Sequence, residues 1–464
     1  RNVKIYLDDF PLTDAGGNTY LNLIDPYTID QINILKGPDG SIYGANSGGV
    51  ISLYSKGFNN LTKPEVNLQL TGGSYGLFQQ QLNAVLPINQ TQQLAINQSW
   101  TRSNGYRQHS SLNKKTIQLN YNWQYAKHSE LKFTGFYTDL GYQTPGGLTA
   151  AQMESDRRQS RPKGGPNPSA AEQKAAIYDK TFFGGVSNKT SISSKLTLFA
   201  NVFGSSNQIK NPFITNYEKR DETNFGVRTQ TQYVFENKLK GKITFGGEYQ
   251  FFSSPITVYG NNFGAVDTVQ TDDKLRSRLL LFFAQAELDL THNFFLTVGA
   301  SANFLKYRFT TLHPAPVINQ SRTFDAVISP RLALLKKFNL VSAYASVSQG
   351  FSPPSLAEVR PSAGTYNNDL NSERGSNYEL GFKGSLMQGQ IRYDVSAYDF
   401  RLDETIVIQR TSDGAEYFVN AGRTSQQGLE ATVTWTPVMN SESIGLSLWS
   451  SYTYNHYRFK DYES

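Results

Sequence analysis

The sequence predicts an all-β fold, a transmembrane antiparallel β-barrel. Three observations predict it: apolar and polar residues alternate with period 2, the alternating segments are long, and the connections alternate between short and long. Side chains on a strand point to opposite faces in turn. Ile117, Leu119, Tyr121, Trp123 and Tyr125 alternate with Gln118, Asn120, Asn122 and Gln124, so this segment has one apolar and one strongly polar face. A soluble antiparallel sheet buries such an apolar face; a membrane barrel turns it to lipid and wets the other in its lumen. Length separates the two readings. Ordinary strands run about 5–6 residues, while a tilted bilayer-spanning strand needs about 9–11.

Composition agrees. The chain has 464 residues, 18% charged and 13% aromatic, which excludes disorder for most of its length. No run of about 18 apolar residues occurs, which excludes transmembrane helices. Zero Cys excludes disulfide scaffolds, thiolate metal sites and Cys nucleophiles. A net charge of +6 is too mild for the dense basic patch of a nucleic-acid binder.

Residues 1–57 form a first domain and 58–464 the barrel. The first is Gly-rich and lacks long alternating segments. Its first residues from Arg1 read as a strand. Ile29 to Lys36 reads as a strand entering the Gly37-Pro38 turn, and Gly48-Gly49 leads into another at Val50 to Leu53. The barrel strands are expected near 66–73, 76–87, 91–102, 113–125, 129–140, 179–190, 194–205, 223–235, 240–252, 274–289, 293–307, 323–335, 340–349, 376–386, 389–400, 416–436 and 443–455. Turns such as Lys127-His128 and Gln388-Gly389 are short, while 103–112, 141–178, 206–222, 253–273, 308–322 and 350–375 read as long loops. Barrels of the outer membrane sort their connections in this way. Trp100, Tyr137, Phe251, Tyr307 and Tyr452 sit near segment ends, as interface girdles require. About 17 strands is an odd count, and Arg1 follows no signal segment. The expectation is a piece of a longer protein, cut at both ends.

Four stretches carry a resemblance to TonB-dependent outer-membrane receptors. Ile29-Asp30-Gln31-Ile32-Asn33-Ile34-Leu35-Lys36-Gly37-Pro38, then Tyr43-Gly44 and Gly48-Gly49-Val50-Ile51-Ser52, is similar to the end of that family's plug domain. Asp8-Asp9 with Pro11 resembles its upstream strand. Gly350-Phe351-Ser352-Pro353-Pro354 with Leu356, Glu358 and Asn377-Tyr378-Glu379-Leu380-Gly381 resembles a barrel segment, and Asn420-Ala421-Gly422-Arg423 with Gly428-Leu429-Glu430 the next. The resemblance implies a 22-stranded type of barrel with about 17 strands present, and the C-terminal half of an N-terminal plug. It implies uptake of a ferric siderophore or similar iron chelate, driven by the TonB-ExbB-ExbD complex through an N-terminal box absent here. Tyr142-Gln143-Thr144-Pro145-Gly146-Gly147 with Arg157-Arg158 is most similar to the ferric-citrate and ferric-siderophore branch. Cobalamin, haem or a glycan stays open as the cargo. A β-rich surface enzyme is the rival from another class, and a passive porin would have no use for residues 1–57.

The family locks plug to barrel by plug arginines on barrel glutamates. By motif, Lys36, Glu379 and Glu430 occupy such positions. Tyr378 and Leu380 share one face and Leu429 and Ala431 another, so both glutamates are expected in the lumen; a charge facing lipid at mid-depth is penalised. Lumen charges without partners are the alternative. Lys36 offers a point charge where the family has a guanidinium fork. In the loops, Tyr142, Arg157, Arg158, Arg161, Tyr217, Arg220, His313 and Arg360 are candidate ligand residues, able to draw in an anionic chelate. Ordinary solvation or contact with lipopolysaccharide phosphates explains such cations equally well. Ala170 to Ile177 is expected as a short helix.

No catalytic residue, metal site or cofactor is expected. Gly72-Gly73-Ser74-Tyr75-Gly76 fits the nucleophile-elbow spacing, but a strand follows where a helix would be needed, so it reads as a hairpin turn. The five histidines lack any metal-binding spacing.

Overall fold

The computed structural model describes residues 2–38, 41–45, 48–57, 62–361, 366–410, 416–438 and 445–461. The N-terminal part is a four-stranded sheet. Val3–Leu7 lies in its middle, antiparallel to Phe10–Pro11 and parallel to Gly49–Ser55, which pairs antiparallel with Ile29–Lys36. Asp8 and Asp9 both adopt positive φ, 48° and 73°, to make the tight turn after the first strand. Aspartate tolerates this region better than most residues. The Asp8 carboxylate is used as well: it accepts from the Ser55 amide at 2.7 Å and the Thr134 hydroxyl at 3.0 Å.

Around this sheet stands an antiparallel barrel of eighteen strands among the described residues. Two of them, Ile318–Thr323 and Val327–Lys337, stack end to end against Phe294–His313, so seventeen positions run around the ring. Glu65–Gly73 and Leu446–Asp461 are neighbours in the ring order, and both are exposed on both faces along nearly their whole length. The alternation resolves as the barrel reading requires. Polar Asn97, Asn120, Thr134 and Gln250 face the lumen fully buried, while Phe182, Phe282 and Leu332 face outward and exposed. No helix among the described residues is long and apolar enough to cross a membrane. The Ser74–Gly76 stretch is a hairpin turn, with Tyr75 and Gly76 both at positive φ.

Three local expectations are corrected. The stretches 206–222 and 253–273 are not loops: Leu196–Pro212 and Asn216–Glu236 stay paired, as do Lys240–Asn262 and Ala265–Leu290. Above the bilayer neither face must be apolar, so alternation fades while the hydrogen-bonded ladder continues. The segment 416–436 is two strands: Glu416–Asn420 pairs with Ile406–Arg410 in a separate hairpin, and Arg423–Val438 joins the barrel. Ala170 to Lys174 forms turns, and the helix of that loop is Ala150–Ser155, started by a capping box of Thr149 and Gln152.

Two apolar clusters join the inner sheet to the wall. Low in the lumen, Ile5, Leu7, Phe10 and Leu53 pack against Phe136, Phe183 and Phe203. Gly185 is required there, because a Cβ would come within 2.7 Å of the Phe10 ring. Higher up, Ala15 packs with Phe252, Leu275, Leu356, Tyr366 and Ile406.

Candidate functional site

The inner sheet is seated on the wall by charge. Lys4 sits in the middle strand between apolar Val3 and Ile5, and its side chain is 3% exposed. Its ammonium donates to Glu248 at 2.8 Å and to the Tyr43 carbonyl at 3.0 Å. Arg228, on the neighbouring barrel strand, donates to the other Glu248 oxygen at 2.6 Å and to the Ile42 carbonyl at 2.7 Å. Gln250 donates to Glu248 at 2.8 Å. The guanidinium also lies over the rings of Phe283, Tyr6 and Tyr43. One fully buried carboxylate thus serves two cations. Burial draws the Lys4 pKa down, Glu248 opposes this, and Arg228 reinforces it.

On the other side of the lumen Lys36 donates to Glu430. This contact is open: the lysine side chain is 68% exposed. Glu379 does not join it. It accepts from the Tyr344 hydroxyl at 2.7 Å and, weakly, from Asn377. The sequence brought Lys36 and Glu430 forward and missed Lys4, Arg228 and Glu248. The available signal was a lysine inside an apolar strand.

At the outer end the segment after Phe10–Pro11 forms the sheet's apex. Asp14 accepts from the Gly16 and Asn18 amides at 2.7 and 3.1 Å. Burial first, then nearby Glu222, push its pKa up to about 8. Tyr20 donates to Glu222 at 2.9 Å, and burial with Glu222 raises its phenol pKa. A short helix, Leu356–Val359, caps the apex: the Leu356 amide donates to the Gly16 carbonyl at 3.0 Å. Its own start is a capping box of Ser355 and Glu358.

The candidate ligand residues divide. Arg220 and Arg360 line one cavity of about 170 Å³ with Asn18, Glu218, Glu222 and Leu356. Both are already paired: Arg220 donates to Glu218 at 2.6 Å and lies 4.0 Å from Glu222, and Arg360 binds Asp273 at 2.5 Å. Both guanidinium groups therefore face the cavity with a carboxylate partner already in place. Arg158 donates to the Tyr106 carbonyl and lies over its ring, Arg161 packs on Gly146, and Arg157 is exposed. Tyr142 and His313 end barrel strands, and Tyr217 lies within one, beside Lys219. Among the described residues no group of three or more His, Asp or Glu side chains is arranged to hold a metal ion.

The chain matches two family descriptions, the TonB-dependent receptor plug domain over residues 1–51 and the TonB-dependent receptor-like β-barrel over residues 54–464. It is 22% identical to the ferrioxamine receptor of Yersinia enterocolitica over 98% of its own length and 66% of that protein's. It is 25% identical to the ferric-pyoverdine 358 receptor of Pseudomonas putida over 29% of its own length and 18% of that protein's. The chain thus spans less than two thirds of these relatives. Among solved structures, the unliganded ferric citrate transporter FecA superposes with a TM-score of 0.81 at 15% identity, over 99% of this chain and 70% of that one. The pyoverdine receptor FpvA from Pseudomonas aeruginosa gives 0.76 at 14%, over 99% and 71%. A buried sheet seated inside an apolar-faced barrel, matched along nearly the whole chain, makes this protein a member of the TonB-dependent receptor family of the bacterial outer membrane.

Proposed function

We propose that this chain belongs to a receptor for TonB-driven uptake of a ferric siderophore. The observation that carries the reading is the occluding sheet. A passive pore needs no folded domain in its lumen, still less one attached by a fully buried carboxylate shared between two cations. Such a plug must be moved by an energy source, which is the role the TonB-ExbB-ExbD complex would fill. The work is binding and movement, with no bond made or broken in the cargo. In this reading Lys36–Glu430 is one plug contact and the Lys4–Glu248–Arg228 cluster the stronger one.

The mouth favours a weakly charged chelate. Glu218, Glu222 and Asp273 stand with Arg220 and Arg360, so the cavity is not a cationic funnel. Hydroxamates cancel ferric charge one for one, which suits this mouth better than a polyanionic citrate complex. The ferrioxamine receptor among the relatives points the same way. The test is a Tyr/Trp fluorescence titration of the detergent-purified full-length receptor with ferrioxamine, ferric citrate, a ferric catecholate and cobalamin. Saturable submicromolar quenching by ferrioxamine alone is expected. Binding of cobalamin alone would discard the siderophore assignment.

A further inference from the structure

One buried carboxylate at the outer end of the lumen has no counter-charge. The strand Ala176–Ser191 alternates cleanly there: Tyr178, Lys180 and Phe182 are exposed, while Asp179, Thr181 and Phe183 face the lumen and are buried. Asp179 is 3% exposed. Directly opposite it on the two flanking strands are Leu140 and Ile209, both apolar and buried. Among the described residues its one hydrogen bond comes from the Thr181 hydroxyl, at 2.7 Å.

The cations nearby are committed elsewhere. Arg220 donates to Glu218, and Lys114 donates to the Asn22 and Ile24 carbonyls at 2.6 and 2.8 Å. Among the described residues no cation lies within ion-pair distance of Asp179. The charge that reaches it from Glu222 is of its own sign. In the row below, Asn207 stands between Thr181 and Glu222. It is 7% exposed, and its Oδ1 atom receives no hydrogen bond. Two carboxylates and an amide oxygen thus face only the hydroxyls of Thr181, Tyr20 and Ser254. Buried polar atoms are normally paired and buried charges normally neutralised. The group that would complete this site is a donor with positive charge. In the row above, Tyr142 and Ile177 lie opposite each other and half-buried, so an incoming group reaches Asp179 past these two.

We propose that Asp179 receives the ammonium group of an amine-bearing ferric hydroxamate. Leu140, Ile177 and Ile209 flank the methylenes of its alkyl arm. Asp179 accepts the charged hydrogen bond, and Asn207 Oδ1 accepts a second. The ferric centre, its charge cancelled by its own hydroxamates, remains outside this apolar collar. A chelate with one net positive charge is therefore preferred over neutral and anionic ones. The proposal rests on the siderophore reading above and adds to it the charge of the cargo.

The test is a fluorescence titration of the detergent-purified full-length receptor with three hydroxamate chelates. They are ferrioxamine B, whose arm ends in a primary ammonium, its N-acetylated form, and cyclic ferrioxamine E, which has no arm. Wild type is expected to bind ferrioxamine B at least about tenfold more tightly than the other two, the worth of one hydrogen bond to a charged group. Asp179→Asn keeps the shape and removes the charge, and should bring these ratios to about one. Ratios near one in wild type, or ratios that survive Asp179→Asn, overturn the proposal and leave ferric-siderophore uptake standing. Binding of none of the three overturns the hydroxamate reading with it. Heat-modifiable gel mobility reports folding. If Asp179→Asn does not fold, Asn207→Leu decides: a ratio lower by about threefold or more is expected from the lost acceptor, and an unchanged ratio overturns the proposal.

Discussion

Glu248 meets two cations, and this sets the ranking of substitutions at the plug seat. Breaking a buried ion pair by removing one partner costs about 3–5 kcal/mol, because the other charge is left uncompensated. Glu248→Gln leaves both Lys4 and Arg228 without their anion. Lys4→Met leaves Arg228 and Glu248 as a neutral pair. Amide hydrogen exchange over Val3–Leu7 is therefore expected to rise much more in Glu248→Gln than in Lys4→Met. Equal effects would mean that the carboxylate is not the shared element. Asp14 gives a pH signature. Its pKa rises from about 3.8 to about 8 on folding, so the folded state keeps a proton that the unfolded chain releases. Stability from this group is complete below about pH 4 and is lost as pH climbs to about 8. Protection of the Gly16 and Asn18 amides is expected to fall across that window, and Asp14→Asn to flatten the slope. A slope unchanged in Asp14→Asn would assign the effect to another group.

At the scale of elements, the helix Leu356–Val359 is too short to persist alone. It depends on the Ser355–Glu358 capping box and on contact with the apex. A Cβ at Gly16 would lie 2.8 Å from the Leu356 side chain. Gly16→Val is expected to push the helix off and to speed exchange of the Leu356 and Val359 amides, while the barrel ladder keeps its protection. Ser355→Ala should produce a milder version, about 1 kcal/mol from the lost cap. Exchange unchanged in Gly16→Val would show that the helix is held from the Ile406–Arg410 hairpin side instead. Elements differ in how far the sequence exposes them. Spanning strands were legible because lipid on one side and water on the other impose alternation, as in Ile117 to Tyr125. Above the membrane that constraint stops, so the paired rises at 206–222 and 253–273 looked like loops. The helix at Ala150–Ser155 is signalled by the capping-box spacing of Thr149 and Gln152, whereas the alanines at 170–171 lie in turns. The Lys4–Glu248–Arg228 seat joins residues 244 apart in the chain. Only the register of distant strands brings them together, and local patterns do not encode that.

At the scale of the whole molecule, the plug is held unevenly. Along Asn216–Glu236 and Lys240–Asn262 it is gripped by the buried charge cluster, and nearby Phe183 and Phe203 clamp Phe10. Along Glu373–Leu386 and Arg423–Val438 the ion pair that holds it, among the described residues, is Lys36–Glu430 alone, one cation on one carboxylate. A pulling force separates the weaker contact first, so the path for cargo is expected to open on that second side. Tethers test this in a chain with no native cysteine. Ser41→Cys with Gly299→Cys joins the plug to the gripped side, where a Cβ at 299 would lie 2.8 Å from that of Ser41. Modest relaxation brings the pair to the roughly 3.5–4.5 Å a disulfide needs. Gly37→Cys with Asn377→Cys joins it on the second side, where a Cβ at 37 would lie 3.7 Å from the Asn377 amide carbon. Under oxidation, uptake of radiolabelled ferric chelate by cells carrying the full-length receptor should persist with the first tether. It should stop with the second and return on reduction. If both tethers stop uptake, the plug leaves the barrel as one body; if neither does, the cargo passes without either contact parting.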